Sequence, residues 1–202
     1  RRKPMTDHPR SPYFWQGADI RLRPMHEDDG AVWLADQQSD SEAVRFLGYG
    51  IDLPSSPYAA EQFVERYAEF NNRAERIMFS IERLDGELVG GINIHSMDRK
   101  NGTFETGTRI YRAHRGRGYG FQAKVIVLRY AFYELRFQKY NIRCMESNEP
   151  MIRHAARLGC QAEGRIRRQI YTDGRFFDEL IFGLTREEFD ELEQRLAQSQ
   201  KL

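Results

Sequence analysis

Cysteine and long apolar runs are both scarce in this sequence. Cys144 and Cys160 are the only two cysteines among 202 residues, which is too few for a disulfide framework, and no His or Cys lies beside them at metal-ligand spacing. We therefore expect two small buried thiols, a reducing cytoplasmic location and no metal site. The apolar runs are short, as in the segment 125–128, whereas a helix that crosses a bilayer needs roughly 20 apolar residues. No membrane association is expected.

An excess of charge of either sign is also lacking. The chain has 31 Lys and Arg against 30 Asp and Glu, a formal net charge of +1, so its charge balance does not favour nucleic acid as a partner. Residues 1–17 begin basic, contain three prolines and lack the apolar segment of a secretory signal. We interpret residues 1–17 as a flexible N-terminal arm and residues 18–202 as one domain, because no repeat or linker divides the rest of the chain.

Apolar periodicity predicts strands and helices in the order β-α-α-β-β-β-α-β-α-β-β-α. Alternating apolar residues mark strands such as 77–81 and 88–95. The pairs Asp85-Gly86, Asn101-Gly102 and Asp173-Gly174 are typical of hairpin turns. Early meander strands and a late hairpin therefore belong to one sheet.

The predicted helices are placed by apolar stripes and end signals. One stripe runs from Phe121 to Leu135, between the predicted strands 103–111 and 140–146. A crossover helix of this kind makes the two strands that it joins parallel, within a mixed sheet. The other predicted helices end near Gln38, span 57–71 and 151–158, and follow a capping box of Thr185 and Glu188.

A glycine-rich turn separates the strand that ends at Tyr111 from the helix that follows. Gly116, Gly118 and Gly120 alternate there with Arg117 and Tyr119, so backbone N–H groups can approach a ligand. The N-terminus of a helix leaves N–H donors unpaired and carries the positive end of the helix dipole, which favours phosphate oxygens. Neither the Walker A pattern nor GxGxxG fits these residues.

The spacing Arg115-x-x-Gly118-x-Gly120 resembles the pyrophosphate signature of the GCN5-related N-acetyltransferases (GNAT family). The resemblance extends over about 20–189. It includes the opening 20–24, Gly90-Gly91, Glu105-x-Gly107, and the run 148–159 followed by Glu163-Gly164. These features resemble the subgroup that contains ribosomal-protein N-terminal and spermidine acetyltransferases.

This resemblance implies a fold and a reaction. The fold is an α/β domain with a mixed sheet, mostly antiparallel, in which the fourth and fifth strands are parallel and splay apart. The reaction moves an acetyl group from acetyl-CoA to a primary amine by direct attack in a ternary complex. The acceptor is a small molecule, a polyamine or a protein N-terminus, and a homodimer is an open alternative for the assembly.

The resemblance also implies where the cosubstrate is held. The pantetheine arm would lie along the fourth strand near Ile110, Tyr111 and Arg112. The pyrophosphate would sit on the turn residues Arg115, Gly116, Arg117, Gly118, Tyr119 and Gly120. Asn148 matches a family residue that contacts the cofactor, yet Asn before Pro150 is also typical of a helix cap, and both interpretations can hold together.

The reaction requires a general base and a general acid. The sequence offers a candidate for the base but does not identify the acid. An alkyl ammonium has a pKa near 10 and must lose a proton before it attacks. Glu105 is the candidate base, and the alternative is a solvated residue paired with an arginine. A backbone N–H near Ile110 is the candidate oxyanion donor. The family tyrosine that protonates the departing thiolate is replaced by Ala155, and a family serine by Met151, which leaves His154, water or the substrate amine.

Two other functions compete with acetyl transfer. The replacements at Ala155 and Met151 would suit an acyl-CoA-binding module without catalysis. The cluster of Arg165, Arg167 and Arg168 would suit RNA, although nearby acidic residues favour a solvated hairpin face instead. The near-neutral net charge counts against RNA.

Overall fold

Seven strands form one mixed sheet in the computed structural model, which describes residues 13–68 and 75–199. The strands are β1 (Ile20–Arg23), β2 (Ile77–Arg83), β3 (Leu88–Asp98), β4 (Thr103–Ile110), β5 (Lys139–Met145), β6 (Gln161–Thr172) and β7 (Arg175–Thr185). Their order across the sheet is β1-β2-β3-β4-β5-β7-β6. Every neighbouring pair is antiparallel except β4 and β5.

The helices are α1 (Asp29–Ser39), α2 (Ser41–Gly48), α3 (Pro57–Tyr67), α4 (Tyr119–Arg129), α5 (Glu149–Leu158) and α6 (Arg186–Ser199). They cover both faces of the sheet. Side chains on the two faces of β4 show this: Phe104 packs against Phe132 in the turn that follows α4, with ring centroids 5.5 Å apart, whereas Arg109 donates to Asp36 of α1. The sheet is therefore enclosed between α1–α3 and α4–α6.

Helix α2 was not predicted and is a correction to the expected order. Its first turn is capped by Asp40, whose Oδ1 accepts from the N–H of Ala43 at 3.2 Å. The helix has only eight residues and none of them is fully buried, so it lacks the long apolar stripe on which the sequence argument relied.

The main core lies between the sheet and α4. Almost every side chain of α4 is buried, including Val125, Val127 and Leu128. The predicted continuous helix to Leu135 is interrupted, because the N–H of Leu135 donates to the carbonyl of Tyr130, five residues back. This wider turn ends the helix and aims the chain towards β5.

The parallel pair diverges as the resemblance implied. Only three residue pairs join β4 to β5, and the last is Glu105 with Asn141. Beyond this point β4 runs on to Ile110, while β5 continues beside β7. A gap therefore opens between β4 and β5, and the expected α/β mixed-sheet fold is confirmed.

The C-terminal capping box is confirmed in both directions. The Thr185 N–H donates to Glu188 Oε2 at 2.8 Å, and the Glu188 N–H donates to Thr185 Oγ1 at 3.3 Å. The predicted hairpin around Asp173-Gly174 joins β6 and β7. These local signals were sufficient because their partners are close in sequence.

Packed structure begins before the predicted domain boundary at residue 18. Trp15 lies on Phe79 of β2 and on Tyr130, with ring centroids 5.0 and 4.8 Å apart. The N–H of Leu22 donates to the Trp15 carbonyl at 2.8 Å. Residues 1–12 of the predicted arm lie outside the described residues. Within the described ranges, no helix has the length and hydrophobicity needed to span a membrane.

Candidate active site

The glycine turn forms an open surface at the start of α4. Gly116 and Gly118 have φ angles of +77° and +83°, and a Cβ added to either would have no atom within 4 Å. Gly118 is the N-cap of α4, and no side chain in the described part of the chain caps this end. The N–H groups of Phe121 and Gln122 donate to the Gly118 carbonyl, each at 3.1 Å. Those of Tyr119 and Gly120 therefore remain available to an anion.

Gly120 allows the start of α4 to approach β4 closely. A Cβ there would lie 3.3 Å from Cγ1 of Ile110. The first turn of α4 consequently rests directly on the end of β4, so the turn and the open edge of the strand form one continuous surface.

The two arginines of the turn differ in how they are held. Arg115 folds back: its Nε donates to the Ile110 carbonyl at 2.9 Å, and its Nη2 lies 2.5 Å from Asp40. Burial would raise the pKa of Asp40, but the Ala43 N–H and the Arg115 guanidinium lower that pKa below its usual value. Arg117 is exposed on the same turn. Arg115 thus fixes the turn against the N-terminus of α2, and Arg117 offers the more accessible charge.

The open edge of β4 faces the gap. The Tyr111 N–H donates to Val89 of β3 at 2.9 Å. Because backbone groups alternate along an antiparallel strand, those of Thr108 and Ile110 point the other way, into the gap. The Arg112 N–H is bound to Asp36 Oδ1 at 3.0 Å. Of the three residues predicted to contact pantetheine, Ile110 alone therefore turns its backbone to the gap. Its N–H is open there, whereas its carbonyl accepts from Arg115.

Two buried polar atoms beside the gap have no hydrogen-bond partner among the described residues: Thr108 Oγ1 and His154 Nε2. Burial, Lys124 and Arg157 lower the pKa of His154 to about 3, so its imidazole is neutral. Buried polar groups are normally satisfied. The amide and hydroxyl groups of a pantetheine arm would suit these atoms, and on this ground the site fits coenzyme A.

Asn148 takes the cap position that the sequence allowed. Its Oδ1 accepts from the Met151 N–H at 3.1 Å, and it begins α5 before Pro150. A capping role through Oδ1 leaves the Nδ2 group for a ligand, so the second interpretation of Asn148 stays compatible with this geometry.

Glu105 lies on the face of the sheet opposite to Thr108. It is next to two charged residues, Arg143 and Glu179, that were not predicted from the sequence. Its Oε1 is 3.9 Å from Nε of Arg143, and Nη1 of Arg143 is 3.1 Å from Oε2 of the buried Glu179. The Tyr49 hydroxyl donates to Glu179 Oε1 at 3.0 Å. Burial raises the pKa of Glu105 above its usual value; Arg143 opposes that rise and Glu179 adds to it.

His95 stands directly across from Glu105 on β3. Burial, aided by Arg76 and Lys124, lowers the pKa of His95 to about 4, and its Nδ1 lies 2.9 Å from Ser96 Oγ. A neutral imidazole beside Glu105 adds no charge to the site. The surface around Glu105 is thus polar and partly desolvated, as a base that deprotonates an amine requires.

Glu179 and Tyr49 could not be placed from the sequence, because they come from β7 and from the end of α2. Lys124, in contrast, could have been found from the sequence. It falls three residues after Phe121, on the apolar stripe of α4, where a charged residue is unexpected.

The position of the missing tyrosine is filled completely. Ala155 has no exposed surface, and Met151 packs against the core. Neither can supply a proton. Within the predicted basic cluster, the Arg165 guanidinium contacts Asp178 at 2.5 Å and also Glu146, and the Arg168 guanidinium lies over the Phe176 ring at 4.5 Å. These contacts reduce the basic surface on which the RNA hypothesis depended.

Known proteins share this architecture. The model of the acetyltransferase (GNAT) domain matches residues 19–161. The SPbeta prophage-derived uncharacterized N-acetyltransferase YokL of Bacillus subtilis (strain 168) is 32% identical over 177 residues, which cover 88% of this chain and 96% of YokL.

Two solved structures show the same fold. The spermidine N-acetyltransferase of Vibrio cholerae, in complex with CoA and spermine, has a TM-score of 0.74 at 16% identity, over 86% of this chain and 99% of that chain. RimL, a ribosomal-protein α-N-acetyltransferase in complex with coenzyme A, has a TM-score of 0.73 at 16% identity, over 84% and 95% of the two chains.

Proposed function

Because this chain belongs to the GNAT family of acetyltransferases and uses acetyl-CoA as its cosubstrate, we propose that it acetylates a primary amine in the gap between β4 and β5. The observation that carries the proposal is the loss of β4–β5 pairing after Glu105, beside the glycine turn. Acetyl-CoA supplies the activated acetyl group. The residues around the gap hold it and deprotonate the acceptor.

The turn Arg115 to Gly120 is the proposed seat of the pyrophosphate. The free N–H groups at the start of α4 and the charge of Arg117 favour an anion there. The pantetheine arm would follow the open edge of β4, where Ile110 and Thr108 direct their backbone groups. Asn148, on the other side of the gap, would bind through its side-chain amide.

Glu105 is the proposed base. An acceptor arrives as an ammonium ion and must lose a proton to expose its lone pair. The raised pKa of Glu105 brings it closer to that task than an ordinary carboxylate. The backbone N–H groups of β4 that face the gap are the proposed donors to the oxyanion that forms on the thioester carbonyl.

The proposed acceptor is a cationic primary amine, on a small molecule, a polyamine or a protein N-terminus. Glu105 and the buried Glu179 lie on the face from which the acceptor would enter. The Vibrio cholerae and RimL enzymes act, by their names, on spermidine and on a ribosomal protein, which supports both classes. Segments 39–67 and 171–177 border this face and would select among amines.

Calorimetry with acetyl-CoA, followed by a thiol-release assay over amines, polyamines, aminoglycosides and peptide N-termini, tests the proposal. Glu105→Gln should keep acetyl-CoA affinity and lose kcat by about 100-fold. Glu163→Gln, which removes a carboxylate that pairs with Lys139 at 2.8 Å on the sheet, is the matched control and should retain activity. An unchanged rate in Glu105→Gln would remove Glu105 as the base.

Three further expectations belong to this proposal. The two free thiols suit a reducing compartment, so we propose a cytoplasmic enzyme. We propose residues 18–202 as a single catalytic domain. A homodimer is the assembly to test by light scattering.

A further inference from the structure

Lys124 is a lysine buried inside the protein, and no carboxylate of the described residues is paired with it. Its side chain is 1% exposed. Its Nζ donates to Thr106 Oγ1 and to the Tyr140 hydroxyl, the latter at 3.0 Å, and these two hydroxyls lie 2.9 Å apart. A buried ammonium that is not paired with an anion is costly. This cost suggests that the amine of Lys124 has a function that an apolar side chain could not perform.

The cluster of Lys124, Thr106 and Tyr140 lies where the gap begins. Glu105 is the last β4 residue paired with β5, so Thr106 is the first residue beyond the pairing. Tyr140 belongs to the paired end of β5, and Lys124 reaches the same point from α4. Thr106 is only half-buried, whereas the two groups behind it are enclosed. Thr106 is consequently the member of the cluster that faces the gap.

The reaction needs a proton at this place. Acetyl transfer breaks the bond between the acetyl carbon and sulfur, and coenzyme A departs as a thiolate. Ala155 occupies the position from which the family tyrosine would supply the proton, and His154 is neutral. On the premise of the proposed function, we propose that Lys124 protonates the departing thiolate through the hydroxyl of Thr106.

The relay balances as follows. The C–S electron pair stays on sulfur as the tetrahedral adduct collapses to the amide. Sulfur takes the proton of the Thr106 hydroxyl while Thr106 Oγ1 takes a proton from the Lys124 ammonium. The protons that the acceptor amine loses pass through Glu105 to water. Lys124 regains its proton from water after coenzyme A leaves.

The surroundings of Lys124 suit this transfer. Burial lowers the pKa of Lys124 to about 7, with a small opposing effect from Cys160. A free thiol has a pKa of about 8.5, so the proton moves downhill from ammonium to thiolate. The titratable groups facing Lys124 are Tyr140, Cys160 and His154, and burial keeps all three uncharged near neutral pH. His95 lies beside Glu105 on the other face of the sheet, and burial keeps it neutral as well.

A purely structural role is the competing explanation, because Lys124 could simply hold β4 and β5 apart. The two roles differ in their effect on the thiol of bound coenzyme A. A relay stabilises the bound thiolate, so its ultraviolet absorption should appear at lower pH in the wild type than in Lys124→Met. A purely structural role of Lys124 would leave the pH of this titration unchanged. Desulfo-coenzyme A, which lacks the thiol, gives the baseline.

Four proteins make the test: wild type, Lys124→Met, Thr106→Val and Thr106→Ser. In Lys124→Met and Thr106→Val we expect coenzyme A to bind within about 3-fold of the wild type, the bound thiol to titrate about one pH unit higher, and kcat to fall about 10- to 100-fold. Thr106→Ser keeps the hydroxyl and should match the wild type in all three measurements.

Equal thiol titrations in wild type, Lys124→Met and Thr106→Val would overturn the relay while leaving the proposed function intact. Equal losses in Thr106→Val and Thr106→Ser would overturn it too. Failure of the wild type to bind coenzyme A at all would refute the proposed function and the relay with it. If Lys124→Met does not fold, the two Thr106 variants still decide the matter.

Discussion

Replacement of Gly118 by alanine separates the backbone role of the glycine turn from its role in binding. Gly118 has a φ of +83°, where an L-residue costs about 1–2 kcal/mol. The lower entropy of the unfolded alanine chain returns about 0.4–1 kcal/mol. No atom lies within 4 Å of the added Cβ, so no clash is added. The net loss of about 1 kcal/mol should lower Tm by roughly 2–4 °C.

Gly174→Ala is the matched control for this variant. Gly174 has a φ of +72° and open space at its Cβ, but it lies in the β6–β7 turn. Thermal unfolding should therefore give similar losses for both variants. At Gly118 the methyl group would enter the space proposed for the pyrophosphate, so the Kd for coenzyme A should rise at least about 10-fold, or about 1.4 kcal/mol. Equal coenzyme A affinities in the two variants would refute the pyrophosphate seat.

The other predictions concern the carboxylates of Glu105 and Asp36 and the helix cap at Thr185. The wild-type rate should rise with pH through a pKa above that of ordinary glutamate, because Glu105 must be ionised; Glu105→Gln should lose this limb. Because folding raises that pKa, ionised Glu105 destabilises the fold, so Glu105→Gln should raise Tm at pH 7 but not below about pH 4. Asp36→Ala strands the buried Arg109, bound at 2.6 Å, and should cost about 3–5 kcal/mol in urea unfolding. Thr185→Ala removes the acceptor of the Glu188 N–H and should cost about 1 kcal/mol by the same measurement.

Elements with a periodic stripe or a two-residue turn were predictable, because their signals are local. The parallel β4–β5 pair followed from the crossover helix between them, and the capping box at Thr185 followed from one spacing. Helix α2 was missed because it buries no residue completely. The wider turn after Arg129 was missed because the apolar spacing continues through it while the hydrogen bonds change.

The residues of the candidate site also fall into those that could be predicted from the sequence and those that could not. The turn Arg115 to Gly120 was visible because its glycines are contiguous and need open backbone. The direction of the Arg115 side chain was not, since its partner Asp40 lies 75 positions earlier in the chain. Glu179, Arg143 and Tyr49 surround Glu105 only because β7 and α2 are brought to β5 by the fold.

The sequence by itself determined which cosubstrate this protein holds, since the glycine turn and its place between a strand and a helix are set by neighbouring residues. Only the tertiary structure decided how protons can move. Lys124, Thr106 and Tyr140 are spread over a helix and two strands and meet at the start of the gap. Contacts of this kind depend on how the strands diverge and on which side chains are desolvated there, and both are properties of the packed chain.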